Sequence, residues 1–139
     1  MPTLHTRPVL TLSDIDQIAH AARAEAQRNE WNVTIAIVDD GGHPLSLLRL
    51  DGCPPVSAYI AMEKARTAAL GRRESKAYED IIKGGRTAFL SVNALSGLLE
   101  GGVPILIDGH CIGAVGVSGV KSQEDAQVAK AGIAALSAA

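Results

Sequence analysis

Residues 101–119 constrain the fold of this chain more than any other segment. Two short apolar runs, at 103–107 and 111–117, are separated only by the tripeptide Asp-Gly-His. Asp-Gly between apolar runs is typical of a β-hairpin, because a tight turn needs a positive φ and glycine adopts one readily. Glycine recurs in the second run, at Gly113, Gly116 and Gly119. Because glycine weakens a strand, this recurrence indicates that a helix, another subunit or a ligand approaches the backbone closely.

The remaining segments alternate between helical and extended patterns. Apolar residues recur at helical spacing over 12–29, 56–70 and 75–83, and again after a capping-box-like Ser-Gln-Glu-Asp at 122–125. β-Branched and apolar runs at 33–39 and 44–50 flank an Asp-Gly-Gly-His turn, and residues 86–100 are read as a helical turn followed by an edge strand near 98–100. The order α-β-β-α-α-β-β-β-α predicts an α+β domain with an antiparallel sheet. It spans residues 1–139, with an extended arm at 1–10.

The bulk composition excludes several classes of protein. At 139 residues the chain can bury a core without disulfide or metal staples, and Cys53 and Cys111 are expected to be free thiols. A net charge of −2 offers no general attraction to nucleic acid or membrane surfaces. No apolar run reaches the length of a membrane span, and the N-terminus lacks a basic-then-apolar signal. We therefore expect a cytoplasmic protein.

The small side chains of this sequence favour self-association. The chain is rich in alanine and has four aromatic residues, so its helices would bury little area each. The helix predicted over 56–70 has two nonpolar sides, which indicates that both are covered. We expect a homo-oligomer, at least a dimer, with the first or second helix in the interface.

Common catalytic motifs do not fit this chain. Ser118 lies in Gly-Val-Ser-Gly, which lacks the second spacer of a nucleophile elbow, and no Gly-Lys-Ser/Thr phosphate loop follows the glycines. The histidines show no His-x-x-x-His spacing, so a structural zinc site is not expected. His20 lies away from the apolar stripe of its helix, where it would face a neighbouring subunit and could reach a ligand.

A few charged residues are candidates for an anion site. Lys64 lies between the nonpolar sides of its helix, so it either extends to the surface or reaches a cavity that holds an anion. Arg49 and Asp51 close the second strand, as a surface ion pair or as the rim of a pocket. Glu100 precedes the flexible glycines at 101–102, whose N–H groups could line a cavity. Lys64, Arg49 and this backbone would form one anion site; the alternative is ordinary surface charge.

Four blocks of the sequence resemble the GlcG/HbpS family, which includes the C-terminal domain of PduO-type proteins. They are VDDGGHPLSLLRLDG (38–52), IAMEKARTAAL (60–70), EGGVPILIDGHCIGAVGVSG (100–119) and EDAQVAKAGIAAL (124–136). The resemblance runs from 12 to 136. It implies a profilin- or roadblock-like α+β fold with a five-stranded antiparallel sheet, assembled into dimers to octamers. Several members of the family bind haem, and some secreted members are associated with haem degradation and with iron or redox sensing.

The resemblance also implies site residues. The positions that match recurrent family motifs are Arg49, Asp51, Gly52, Lys64, Gly101, Gly102, Gly113, Gly116, Ser118 and Gly119. Eight residues are candidates for ligand binding: Glu100 and, from these motif positions, Arg49, Asp51, Lys64, Gly101, Gly102, Gly116 and Ser118. A histidine on the first helix is the haem ligand in PduO-type domains, and His20 lies near that place. The chain lacks the export signal of the secreted members, which favours a cytoplasmic, metabolic setting.

Three functions remain open at this point. The first is binding, with possible degradation, of haem in an apolar pocket, with Lys64 and Arg49 on the propionates and His20 or a tyrosine on the iron. The second is an accessory enzyme or binding protein for a small hydroxy or keto acid, using Lys64, Arg49 and Glu100. The third is a structural oligomer that scaffolds a pathway complex.

Overall fold

A four-stranded antiparallel sheet forms the centre of the protein. The computed structural model describes residues 3–137, without the side chain of Ser137. The strands are β1 (Thr34–Asp39), β2 (Pro44–Arg49), β3 (Gly102–Ile107) and β4 (His110–Ser118). Their order across the sheet is β2-β1-β4-β3, so two hairpins are joined through the β1–β4 pair. The predicted hairpin over 101–119 is therefore confirmed, and it supplies one central strand and one edge strand.

Helices cover both faces of this sheet. They are α1 (Leu12–Arg28), α2 (Val56–Gly71), α3 (Lys76–Lys83) and α4 (Ser122–Ser137), with a 3₁₀ helix at Thr87–Ser91. α1 and α4 pack against each other on one face, and α2 packs on the other. Within residues 3–137, none of the helices is long and apolar enough to cross a membrane. The predicted α+β class is confirmed.

Local sequence signals place the first helix accurately. Thr11 caps α1: its hydroxyl accepts a hydrogen bond from Asp14 N at 3.2 Å, and the Asp14 carboxylate accepts one from Thr11 N at 2.8 Å. This reciprocal arrangement satisfies two backbone donors that the helix itself leaves unpaired. The hydrogen bonds hold the pKa of Asp14 below its ordinary value, with the Thr11 N–H as the main cause.

The two faces of the sheet carry side chains of different size. Strand alternation turns Ile35, Ile37 and Val115 toward α1 and α4, where the larger apolar side chains gather. The opposite face presents Ala36 and Ala114 to α2, whose own buried positions are mostly alanines. Small residues on both partners let α2 lie unusually close to the sheet.

Gly116 marks the closest approach. It lies in the middle of β4, opposite Ala36 on β1 and Gly102 on β3. A Cβ atom at this position would lie 2.1 Å from Ala61 O and 2.5 Å from Ala65 N on α2. Gly116 therefore admits a helix of the same chain, which was one of the alternatives that the sequence left open. Gly113 and Gly119 instead lie against the backbone of Val38 and of Asn32.

The fifth predicted strand is wrong. Residues 98–100 lie outside the strands that the structure describes, in the loop before β3. This loop is held by α2 and α3 instead of a strand neighbour: Glu100 N donates to Glu79 Oε1 at 3.0 Å, and the hydroxyl of Ser75 donates to Leu99 O at 2.5 Å. A Cβ on Gly97 would lie 2.3 Å from the backbone of Glu63 on α2. The apolar residues of the loop pack without strand pairing.

We expect Gly116→Val to be far more damaging than Gly84→Ala. Valine at 116 would overlap the α2 backbone, and overpacking a core typically costs about 1–3 kcal/mol. Gly84 has a φ of −74°, and a Cβ there would lie 3.2 Å from Asp80 O, so alanine should change stability by about 0.5 kcal/mol or less. Urea unfolding of the two variants measures the difference. If both variants lost the same free energy of unfolding, the contact with α2 would not require glycine at position 116.

Candidate functional site

Lys64 is buried and paired with a carboxylate of the same chain. It lies in the middle of α2, 2% exposed. Its Nζ donates to Asp125 Oδ2 and to Val117 O, each at 3.0 Å. Lys64 therefore does not extend to the surface. In the single chain its anionic partner is a side chain of α4, so its assignment as a ligand anchor stays a prediction.

This ion pair joins the two helical layers around the end of the sheet. α2 and α4 cover opposite faces, so the lysine must pass the sheet between β4 and the loop before β3. Gly101 forms the passage: a Cβ there would lie 2.8 Å from Lys64 Nζ and 2.9 Å from its Cδ. The expected proximity of Lys64 to the 101–102 backbone is thus observed. The two are close because the Lys64 side chain passes Gly101 on its way to Asp125.

Asp125 was missed by the sequence reasoning, which saw it only as part of a capping signal at 122–125. Its Oδ1 accepts a hydrogen bond from Val120 N at 3.1 Å, while Oδ2 faces Lys64. Burial raises the pKa of this carboxyl, and the charge and hydrogen bond of Lys64 oppose that effect. A carboxylate one turn into an alanine-rich helix was the available signal, but its partner is 61 residues away.

Backbone groups around residues 100–102 are largely engaged by the protein. Gly102 N donates to Ser75 Oγ at 2.8 Å, and Ser75 N donates to Gly102 O at 3.0 Å. Glu100 N is bonded to Glu79, and Gly101 O accepts from Val117 N at 3.1 Å. The N–H groups of Glu100 and Gly102 are therefore already paired, and their role in anion binding also stays a prediction.

Arg49 and Asp51 lie at a cleft between α1 and the end of β2, which we call the α1–β2 cleft. Its volume is about 350 Å³. The lining residues are Arg23, Gln27, Glu30, Trp31, Asn32, Leu48, Arg49, Leu50 and Asp51. Arg49 also borders a more apolar cleft of about 440 Å³ beside Tyr59 and Met62. Neither of these clefts includes Lys64 or Glu100, so within one chain Lys64 and Arg49 of the predicted anion site do not share a cleft.

Gly116 and Ser118 lie inside the sheet rather than at a cleft. Gly116 is covered by α2, as described above. Ser118 is buried at the end of β4, opposite Thr34, and its carbonyl accepts a weak hydrogen bond from Cys53 Sγ at 3.8 Å. Both cysteines are free and buried, as expected.

His20 is exposed on α1, on the side that leads to the α1–β2 cleft. Arg23 and Gln27, three and seven residues later, line that cleft. Residues at i, i+3 and i+7 share one helix face, so His20 belongs to the same surface. The sequence indicated His20 and Arg49 as candidates for a site, but it did not indicate Arg23 and Trp31, which line this cleft. The register of a helix alone does not show which loop and strand its face meets.

We expect Lys64→Met to lose about 3–5 kcal/mol of stability, because it leaves the Asp125 carboxylate buried without its cation. The double variant Lys64→Met/Asp125→Leu should recover most of that loss. Lys130→Met is the matched control, since Lys130 is an exposed lysine on α4. Urea unfolding gives all three values, and a double variant no more stable than Lys64→Met would contradict the electrostatic explanation.

The same variant should show a defined pH dependence. Without Lys64, burial keeps the pKa of folded Asp125 above its ordinary value of 3.8, so the unfolded chain ionises first. The stability of Lys64→Met should therefore be greatest below that value and fall as the pH rises through the folded pKa. Unfolding curves from about pH 4 to about pH 8 test this. If Lys64→Met became more stable as the pH rose, the predicted direction of its pH dependence would be wrong.

Comparisons with known proteins agree with this fold. The model of a family described as haem degrading protein HbpS-like matches residues 10–134. Protein GlcG of Escherichia coli strain K12 is 54% identical over 115 residues, which cover 83% of this chain and 85% of GlcG. The crystal structure of HbpS superposes with a TM-score of 0.86 at 30% identity, over 96% of this chain and 94% of HbpS. A PduOC:heme complex superposes with a TM-score of 0.83 at 27% identity, over 92% and 95%. The chain belongs to the GlcG/HbpS family.

Proposed function

We propose that this protein binds haem at the α1–β2 cleft, with His20 on the iron and Arg23 and Arg49 on the propionates. The observation that carries the proposal is a cleft with two arginines and three apolar side chains, beside a helix face that also carries the exposed His20. The family model names haem degradation, and the PduOC structure is a haem complex. Those names describe the relatives, and they support haem as the ligand to test first.

The cleft offers apolar and cationic contacts for haem, beside the carboxylates of Glu30 and Asp51. Trp31, Leu48 and Leu50 supply apolar contacts for a porphyrin ring. Arg23 and Arg49 border the same space, and guanidinium groups pair with carboxylates through two parallel hydrogen bonds. Lys64 has no part in this proposal, because its amino group is bonded to Asp125.

His20 is placed and free to ligate. Within residues 3–137 it takes part in no hydrogen bond or ion pair, so an imidazole nitrogen is available. It precedes Arg23 by three residues, a rise of about 4.5 Å along α1. When bound, haem supplies an iron centre for ligand or redox chemistry, whose behaviour depends on the axial ligand.

The shape of the cleft supports binding between two copies of the chain. A surface cleft of about 350 Å³ covers only part of a porphyrin, so the second face of the ring needs another cover. A neighbouring subunit would provide it, in agreement with the self-association that the alanine-rich sequence predicts.

A small organic acid is the second candidate ligand. Arg23 and Arg49 at a cleft of this size also suit a free carboxylate, with Asn32 as a further hydrogen-bond partner. Haem needs His20, whereas a small acid needs only the arginines. The same variants therefore distinguish the two functions.

Hemin titration should give a shifted Soret band for the wild-type protein. We expect His20→Ala to weaken hemin binding by about tenfold or more and to change the spectrum, and Arg49→Gln to weaken binding by less. His43→Ala is the matched control, because His43 is an exposed histidine in the β1–β2 turn. If His20→Ala keeps the wild-type spectrum and affinity, the haem site is elsewhere. Binding of hydroxy or keto acids that Arg49→Gln abolishes, without a hemin response, would favour the second function.

Light scattering at micromolar concentration should show at least a dimer. Tyr59 and Val56 are exposed on α2, 77% and 57%, and are apolar residues that an interface would bury. We expect Tyr59→Glu to shift the protein toward the monomer and Tyr59→Phe to leave it assembled. A monomeric wild-type protein would contradict self-association.

A further inference from the structure

We propose a second binding site, for a small oxyanion such as a phosphate, a sulfate or a carboxylate. It is a cleft of about 380 Å³ at the opposite end of the strands from the α1–β2 cleft, and we call it the arginine cleft. Its lining residues are Arg7, Arg72, Leu106, Gly109, His110 and Cys111. The extended arm, the end of α2 and the β3–β4 hairpin meet there. The site is independent of the proposed haem function.

Both arginines of this cleft are fixed by one residue of the β1–β2 turn. The guanidinium of Arg7 pairs with the Asp40 carboxylate, Nη2 to Oδ2, at 2.5 Å. Arg72 Nη1 donates to the backbone carbonyl of Asp40. Asp40 therefore holds the arm and the end of α2 at the same place, which limits the conformational freedom that a bound anion would otherwise have to remove.

Arg72 is also held by its own helix. It is the residue that ends α2, with a left-handed φ of 57°. This conformation turns its side chain back so that Nη1 also donates to Ala69 O at 3.0 Å. A guanidinium has five N–H donors, so bonding one nitrogen to two carbonyls leaves donors for a ligand. The group is oriented in advance for an oxyanion.

The charge balance of the cleft favours an anion. Two guanidinium groups face it, and the Asp40 carboxylate is paired with Arg7 alone. In the described part of the chain, Arg72 bonds to carbonyl oxygens and forms no ion pair. Guanidinium groups recognise phosphate and carboxylate by planar, paired hydrogen bonds. The two guanidinium groups and the Asp40 carboxylate leave a net charge of +1, which a bound oxyanion would neutralise.

The β3–β4 hairpin supplies the third side of the cleft. His110 is exposed at the start of β4, beside Gly109, and its imidazole can donate a further hydrogen bond. Gly109 has a φ of 80°, and a Cβ there would meet nothing within 4 Å, so the turn leaves the entrance open. The cleft therefore has donors on three separate elements.

The site shares no lining residue with the α1–β2 cleft, so the two proposals fail separately. Calorimetric titration of the 139-residue protein with inorganic phosphate and with sulfate should show saturable binding, at constant ionic strength set with sodium chloride. We expect Arg7→Gln and Arg72→Gln each to weaken binding by about tenfold. Arg49→Gln tests the α1–β2 cleft and should leave phosphate binding unchanged. Arg86→Gln, which alters an exposed arginine beside Phe89, is the matched surface control.

Two further measurements keep the test decisive. Because Arg72→Gln also removes bonds to backbone carbonyls, thermal unfolding checks that each variant is folded, and Arg7→Gln provides the second, less invasive change. The NMR signals of the His110 ring should shift on phosphate addition in the wild-type protein, and the same shift should need about tenfold more phosphate in Arg7→Gln. Absence of saturable binding of both anions by the wild type would overturn the site. So would equal affinities of wild type, Arg7→Gln and Arg72→Gln.

Discussion

The ion pair between Lys64 and Asp125 is the interaction on which the layered structure depends. It is buried, and it connects a helix on one face of the sheet with a helix on the other. Such a pair needs a path for the lysine and a fixed distance between layers. Gly101 provides the path, and Gly116 lets α2 lie close enough for Lys64 to reach. Because breaking a buried pair leaves an uncompensated charge, the small residues around it are constrained together with the two charged ones.

This arrangement fills the interior, so the clefts that could bind a ligand lie at the ends of the strands. On the α2 face the alanines and glycines pack against the helix backbone, so no ligand space remains between them. The α1–β2 cleft and the arginine cleft lie at opposite ends of the strands, where loops and helix ends leave gaps. Each cleft draws residues from elements that are distant in the sequence. The proposed functions therefore depend on which side chains line these two clefts and on whether a second copy of the chain covers them.

Family membership and the chain's own geometry contribute different parts of the functional argument. The relatives make haem the ligand to test, and the residues that we propose for it are His20 and Arg23 on α1 and Arg49 at the end of β2. The proposal of an anion site at the arginine cleft uses no comparison with a relative. It follows from Arg7 and Arg72, which share Asp40 as their anchor.

Local signals in the sequence were sufficient to predict the helices and the four observed strands. These signals are helical periodicity, the Thr11–Asp14 cap and the Asp-Gly turn. The sequence also showed that something must approach the glycines of β4 closely. The folded structure was needed to show that α2 makes this approach at Gly116 and that residues 98–100 pack as a loop on α2 and α3. It was also needed to show that Lys64 is bonded to Asp125 while Arg49 lies at a cleft elsewhere. The physical reason is that a charge far along the chain becomes a partner only when packing brings it near. Burial and pairing are properties of the folded arrangement, whereas propensity and capping belong to short stretches of sequence.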